Sequence, residues 1–375
     1  MKKRLRVLHV TPDDKFFDPV FERWEVNENF INEAIFITKS RHYQFRFIKN
    51  TDEVNVLYNT KMVTERLSAD DYDIIFFHSI RPNLYKYFRF IPQNKIVIWW
   101  MWGFDIYNPV KGLPPFINLD LYKPLTNEYN KRVNNNLKNK LYKLYCLLIK
   151  NIMRKQRLEM LQRIDYFQPV LKEEYSMMCT NPNFRASEFY CKPSVNNVEK
   201  VELKRADGNI LLGNSATVTN NHLDVLETVK KFRQDQQQII MPLNYGNGKY
   251  KEWLSKYIDY PFVTPIYNYM PREEYFKMLD DCSYAVVGTI RQQAMGNIGY
   301  ALRHGIKVFL YKDSVAYKSL KDSGYVVYAI EDMTVDSLLI PLTQEEVEQN
   351  LKADQKERER RLAVYEHCLK EFRRH

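Results

Sequence analysis

Residues 208–226 read GNILLGNSATVTNNHLDVL. Ile210 to Leu212 form a short apolar run, and Gly213-Asn214-Ser215-Ala216-Thr217-Val218-Thr219-Asn220-Asn221-His222 follow it with small, hydrogen-bonding side chains. Leu223, Leu226 and Val229 then recur at helical spacing. Strand, polar turn and helix in that order make the unit in which α/β proteins hold phosphates. Small residues let the backbone approach an anion, the first N–H groups of the helix are unpaired, and the helix dipole favours negative charge there. Asn and Thr add neutral donors. Taken alone, the loop reads equally well as a capped turn with no ligand.

Outward from this stretch the second half of the chain alternates. Strands are expected at Asn209–Leu212, Gln238–Pro242, Phe262–Pro265, Tyr284–Val287 and Lys307–Leu310. Helices are expected from His222, near Lys249–Ile258, over Arg272–Asp280 and over Gly296–His304. Such alternation predicts a parallel sheet with helices on both faces, whose ligand sites lie at the carboxyl ends of the strands. Three polar, glycine-bearing loops then share one side of that sheet: Gly213 to His222, Leu243 to Gly248 and Gly288 to Asn297. The last brings Arg291, a planar cation suited to a diphosphate, beside the amides of Gln292 and Gln293. No GxxxxGK[ST] and no GxGxxG occurs.

The first half predicts a second α/β unit. Strands are expected at Leu5–Val10, Tyr43–Ile48, Ile74–His78 and Lys95–Trp100, with a polar turn at Thr11–Lys15, helical patterns between, and a short strand at Tyr166–Val170. Lys192 to Lys204 reads as a linker, and the charged tail from Gln344 is helical in pattern. Two domains, 1–195 and 205–340, with a C-terminal helix 344–375, agree with a length of 375 residues.

Composition narrows the setting. No run of about eighteen apolar residues occurs, and MKKRLRVLHVT is too short in its apolar part for a secretory signal, so a cytoplasmic protein is expected. Five scattered cysteines without CxxC spacing argue against a disulfide framework or a structural zinc site. The net charge of +10 concentrates between Lys131 and Arg163, where ten Lys or Arg and one acid, Glu159, interleave with leucines, tyrosines and isoleucines. That composition suits a segment lying on an anionic membrane surface; a buried helix with a solvated basic face is the alternative.

The runs GNSATVTNNHLD, MPLNYGN and RQQAMGN, with Trp99-Trp100-Met101-Trp102-Gly103-Phe104-Asp105-Ile106-Tyr107, together resemble glycosyltransferase family 56, the bacterial 4-acetamido-4,6-dideoxygalactose transferases. The resemblance extends from Val97 to about Leu310. It implies a GT-B fold, α/β with two Rossmann-like domains facing a central cleft, the nucleotide sugar on the C-terminal domain and the acceptor on the N-terminal one. It also implies a lipid-linked saccharide acceptor on undecaprenyl diphosphate, as in common antigen, O-antigen or capsule assembly, at the inner face of the cytoplasmic membrane.

On that reading the donor is held by Gly213, Asn214, Ser215, Thr217, Asn220, Asn221, His222, Tyr245, Arg291, Gln292, Gln293, Gly296 and Asn297. Arg291 offsets charge on the leaving diphosphate, so neither a metal nor a cofactor is required. Asp71-Tyr72-Asp73 has DxD spacing but precedes its strand, the wrong end for a ligand site. If the reaction inverts, a base must deprotonate the acceptor hydroxyl, and Asp13, Asp14, His78 and Asp105 each stand where a strand has just ended. If it retains, these groups only position the acceptor. Trp99, Trp100 and Trp102 offer either a sugar-stacking face or core. Two other classes remain at this point: a noncatalytic polyanion binder using 131–163, disfavoured for nucleic acid by the apolar face and the lack of zinc-finger or RNP spacing, and a sugar-nucleotide epimerase on the same fold.

Overall fold

A strand covered on both faces reads as an unbroken apolar run, because neither side of its pleat meets water. β1 (Leu5–Thr11) is buried at every position but Arg6, with His9 and Thr11 as polar residues among its apolar ones. The computed structural model describes residues 4–14, 17–46, 48–49, 51–110, 112–134, 137–193 and 201–374. From β1 the chain passes through α1 (Phe17–Glu25), β2 (Phe30–Ile37), β3 (Val54–Leu57), α2 (Thr60–Ser68), β4 (Ile74–Phe77), β5 (Ile96–Trp100), α3 (Gly103–Tyr107), α4 (Pro124–Asn134), α5 (Leu137–Arg163), β6 (Tyr166–Gln168), α6 (Lys172–Cys179) and β7 (Ser187–Glu188). It continues through β8 (Asn209–Leu212), α7 (His222–Val229), β9 (Ile239–Pro242), α8 (Gly248–Ser255), β10 (Val263–Ile266), α9 (Arg272–Asp280), β11 (Cys282–Val287), α10 (Met295–Arg303), β12 (Lys307–Leu310), α11 (Val315–Asp322), β13 (Tyr328–Ala329) and α12 (Gln344–Phe372).

The chain divides into two units. The first comprises Met1–Asn118, Lys140–Val195 and Arg358–His375, the second Leu119–Asn139 and Asn196–Glu357. Among the described residues the first holds a sheet in the order β3-β2-β1-β4-β5-β6-β7, the second one in the order β10-β9-β8-β11-β12-β13. All pairings between these strands are parallel. In each sheet the order reverses once, between β1 and β4 and between β8 and β11. Loops diverge there and leave a crevice at the carboxyl ends of the strands.

Two assignments depart from a cut between residues 195 and 205. α4 belongs to the second unit because Asp224 of α7 caps its start, accepting from Leu125 N at 2.9 Å, Thr126 N at 3.0 Å and Thr126 Oγ1 at 2.7 Å. The last turns of α12 belong to the first unit, where Tyr365, Cys368 and Phe372 enter the core with Val7, Trp24, Phe30 and Phe189.

Among the described residues of 43–48 there is no strand, and the strand beside β1 on the side away from β4 is β2. Asn32 and Glu33 interrupt the apolar pattern of FINEAIFI, yet both are satisfied from neighbouring elements: Asn32 Oδ1 by His9 and Glu33 Oε2 by the Tyr72 hydroxyl. Tyr43 and Phe45 instead pack their rings on Phe36, with centroids 4.6 and 5.1 Å away. Lys15 of the first polar turn, Phe47, Asn135 and Asn136 of the basic stretch, residues 194–200 of the expected linker, and His375 lie outside the described residues. All five cysteines are free thiols. Among the described residues no helix is long and apolar enough to cross a membrane.

Candidate active site

At the switch point of the second sheet, β8 runs into Gly213, whose φ of +70° turns the chain at once; its N–H still donates to Val286 O across to β11, at 3.1 Å. A Cβ at Gly213 would stand 3.0 Å from His222 Nε2 and 3.2 Å from Asn220 Oδ1, so glycine is needed for space as well as for φ. The next residues form a one-residue bridge with the loop after β9: Ala216 N donates to Tyr245 O at 2.7 Å and Asn247 N to Ala216 O at 2.8 Å. Gly246 makes this approach possible. Its φ is +122°, and a Cβ there would meet Ala216 O at 2.5 Å.

Side chains join the third loop to the other two. Asn214 Nδ2 donates to the Tyr245 hydroxyl at 3.1 Å, while Gln293 Nε2 donates to Asn214 Oδ1 at 3.0 Å and to Thr217 Oγ1 at 2.8 Å. Thr219 Oγ1 donates to Gln293 Oε1 at 2.6 Å, and the Ser215 and Thr217 hydroxyls are 2.9 Å apart. Asn214 thus stands at the meeting of the loops after β8, β9 and β11. Beside it α10 begins after Ala294, whose φ is +60°. A Cβ at Gly296, in the first turn of α10, would meet nothing within 4 Å. Asn297 Nδ2 donates to the Tyr275 hydroxyl at 2.6 Å, and Arg291 Nη1 donates to Gln292 O at 3.2 Å.

Three of the residues expected to touch the donor are built into the scaffold instead. Asn220 is fully buried, with Nδ2 donating to Ser215 O at 2.9 Å and Thr217 Oγ1 at 2.8 Å and Oδ1 accepting from Asn214 N, so it braces the inside of the loop. Asn221 takes the left-handed conformation, φ +51°, and its amide donates to Gly288 O at 2.7 Å and Leu121 O at 3.2 Å while accepting from Lys123 N at 2.9 Å. It ties 121–123 and the β11 loop to α7. His222 is fully buried with Nδ1 3.0 Å from the Tyr250 hydroxyl, and burial lowers its pKa to about 3, which leaves the ring neutral. Side-chain amides that could have met a ligand were taken up by the turn because three successive loops approach here, and each buried backbone group needs a partner.

The first unit has its own switch point between β1 and β4. Asp13 follows β1, its carboxylate partly exposed and 2.7 Å from Arg81 Nη2. Asp14 accepts from Arg46 N at 2.9 Å and so holds the 43–46 loop that the sequence suggested as a strand. His78 follows β4; its N–H donates to Val10 O at 2.9 Å, and its ring is packed among Phe17, Phe76 and Trp100. Its Nε2 lies 2.9 Å from Nδ1 of His9, a polar residue inside the apolar run of β1. Burial lowers the pKa of both rings, that of His9 to about 3.

Asp105 is buried and fully engaged. Oδ1 accepts from Trp102 N at 2.9 Å, capping α3, and Oδ2 accepts from Trp99 Nε1 at 2.9 Å and Ile80 N at 3.2 Å, tying the loop after β4 to the end of β5. Burial raises its pKa to about 7, against the pull of those three donors. Its place is structural because no oxygen is turned toward open space. Trp99 is core, while Trp100 and Trp102 are half-buried neighbours with ring centroids 5.1 Å apart. At the amino end of β4, Asp73 accepts from Arg6 N at 2.8 Å and Asp71 pairs with Arg66 at 3.5 Å. Sequence reasoning passed over His9, Arg81 and Asp224; of these only His9 carried a signal, as the polar residue inside the apolar stretch from Val7 to Val10.

Residues 173–357 match the family model described as 4-alpha-L-fucosyltransferase, glycosyl transferase group 56. Among solved structures the chain is similar to the UDP-forming α,α-trehalose-phosphate synthase of Burkholderia xenovorans, in complex with glucose-6-phosphate, at TM-score 0.57 and 8% identity, covering 99% of this chain and 100% of that one. It is similar to an E. coli trehalose-6-phosphate structure bound with UDP-2-fluoro glucose, at TM-score 0.57 and 9% identity, over 98% and 99% of the two chains. AviGT4, a glycosyltransferase of avilamycin A biosynthesis, matches at TM-score 0.52 and 11% identity over 99% and 97%. These likenesses show a GT-B fold. Over residues 173–357 the chain matches glycosyltransferase family 56, the family that its motifs resemble, and it is a glycosyltransferase.

Proposed function

We propose that the protein transfers a 6-deoxyhexose from a dTDP- or UDP-linked donor to a saccharide carried on undecaprenyl diphosphate, at the inner face of the bacterial cytoplasmic membrane, in the assembly of a surface polysaccharide. The observation that carries the donor half of this reading is the convergence of three polar loops on Asn214 at the switch point of the second sheet. The start of α10, where Gly296 faces open space, supplies unshielded N–H groups for a diphosphate. Gly213, Asn214, Ser215, Thr217, Tyr245, Gln292, Gln293 and Asn297 form the polar wall around it, and Arg291 offsets the charge that develops on the leaving diphosphate. Asn220, Asn221 and His222 act one step back, by holding the loop. The fucosyl group named in the family description and the 4-acetamido-4,6-dideoxygalactose of the sequence resemblance are both 6-deoxyhexoses, hence the choice of sugar.

α5 supports the lipid-linked acceptor. Its Leu141, Leu144, Leu147, Leu148 and Ile152 are exposed, Leu148 by 76%, beside exposed Lys150, Arg154 and Lys155. An apolar strip that long on water is costly, and its basic border matches anionic lipid headgroups.

The test is a thermal-shift screen with nucleoside diphosphates followed by transfer assays. One nucleoside diphosphate should raise the melting temperature in proportion to its concentration over Kd, because it binds only the native state. Arg291→Ala should cut turnover by about 10²-fold. Indifference to dTDP, UDP and GDP alike, with wild-type turnover in Arg291→Ala, defeats the reading. Cosedimentation with anionic liposomes, set against neutral liposomes and duplex DNA, tests the membrane half; uptake by DNA alone defeats that.

A further inference from the structure

The proposed transfer requires a group to accept the acceptor's proton if the linkage inverts, and the first unit offers four nominal candidates, of which Asp14 is buried and holds the 43–46 loop through Arg46 N at 2.9 Å. Asp105 has both oxygens committed to N–H donors, and Asp13 is neutralised by Arg81 at 2.7 Å. His78 remains, and a chain of hydrogen bonds behind it decides which of its nitrogens is free. Asn32 Oδ1 can only accept, so His9 Nε2, 3.1 Å away, carries a hydrogen. Burial holds His9 neutral, with its pKa lowered to about 3, so its Nδ1 carries a lone pair and no proton. That lone pair lies 2.9 Å from His78 Nε2, which must therefore be the protonated nitrogen of His78. Nδ1 of His78 is left as an unprotonated lone pair with no hydrogen-bond partner among the described residues, at the carboxyl end of β4 beside the switch point.

We propose that Asn32 and His9 form a two-member relay that fixes the tautomer of His78 so that His78 Nδ1 serves as the general base for the acceptor hydroxyl, His9 and Asn32 being positioning residues. In the step, the acceptor oxygen bonds to the anomeric carbon as its proton passes to His78 Nδ1. The bond from that carbon to the diphosphate oxygen breaks, and the nucleoside diphosphate departs with the electron pair. The charge gained by His78 is shared with His9 through the shortened Nε2–H···Nδ1 contact, and the proton leaves to water after product release. Asn32 lies on β2 two residues before Ala34, the register partner of His9 on β1, and His78 follows β4 two residues after Phe76, the other partner of His9, so neighbouring strands of one sheet hold the three.

This inference rests on the transferase reading above, and the experiment separates the two. In wild-type protein, the imidazole nitrogen-15 spectrum should show His78 with Nε2 protonated and Nδ1 bare; the opposite tautomer overturns the relay whatever the substrate proves to be. With the active sugar nucleotide and acceptor, His78→Ala should lower kcat by about 10²–10⁴-fold. Its donor KM and its melting-temperature rise with nucleoside diphosphate should stay within threefold of wild type. His9→Leu should lower kcat by at least tenfold and leave His78 with a mixed tautomer, and His9→Gln, whose amide oxygen can still accept from Nε2–H, should recover most of that loss. Unchanged kcat in His78→Ala, with donor binding intact, overturns the base assignment while leaving the transferase reading in place. A wild-type protein that binds no nucleotide and transfers no sugar overturns that reading instead, and the spectrum still judges the tautomer.

Discussion

At the residue scale, the molecule's polar side chains divide into those spent on the turn and those left facing out. Asn220 and Asn221 are of the first kind, and beside them Gly246, by its missing Cβ, lets the loops after β8 and β9 touch. Gly246→Ala should lose about 2 kcal/mol or more in urea unfolding, because it adds both a strained φ and a 2.5 Å clash with backbone. A loss under 0.5 kcal/mol would mean that the loops do not rely on that bridge. Asn214 and Gln293, half-buried, stand between the two kinds and bond to each other at 3.0 Å. A double-mutant cycle through Asn214→Ala and Gln293→Ala should return a coupling of about 1 kcal/mol, against zero for two independent surface amides. None of this spending was legible in GNSATVTNNH. The composition said hydrogen bonds, but not that Asn220 and Asn221 would make theirs inward, since the partners of Asn221 lie at Leu121, Lys123 and Gly288.

Elements were read best where burial was one-sided in kind. Apolar runs such as Ile74–Phe77 and Lys307–Leu310 are strands because nothing polar interrupts them. β2 was missed because Asn32 and Glu33 interrupt it, and both are satisfied from elsewhere in the sheet. α4 shows a helix start made by a distant residue: Asp224 caps it from α7. Asp224→Ala should cost about 1–2 kcal/mol and speed hydrogen exchange at Leu125 and Thr126 ahead of the rest of the second unit. α5 carries a prediction of the opposite sort. Leu147→Glu with Leu148→Glu should leave the unfolding midpoint within about 0.5 kcal/mol of wild type, since both side chains are in water, yet release the protein from anionic liposomes. A large loss of stability in that variant would show that the strip is packed on protein in solution.

At the scale of the whole molecule, buried titratable groups set how stability depends on pH. His9, His78 and His222 are neutral in the fold and have lowered pKa values. Their contribution is complete above about pH 6.5 and is lost as pH falls toward 3, because only the unfolded chain takes up the protons. Asp105, raised to about 7, works in reverse: it favours the fold below the unfolded carboxyl range and loses that contribution as pH rises through 7. Three groups against one leave the histidines in command, so stability, read as the urea midpoint, should fall as pH is lowered from 6.5 to 5. His222→Gln, which removes one of the three groups, should make that fall shallower. By itself the sequence determined the α/β class, the two Rossmann-like halves of a GT-B fold and the match to a glycosyltransferase family, since each follows from local periodicity or from a run of neighbouring residues. Only the tertiary structure decided that Asn220, Asn221, His222 and Asp105 belong to the scaffold, that α4 joins the second unit and the chain's end the first, and that His9 stands behind His78. Those outcomes depend on which distant backbone groups and side chains come within about 3 Å, and no spacing along the chain records that distance.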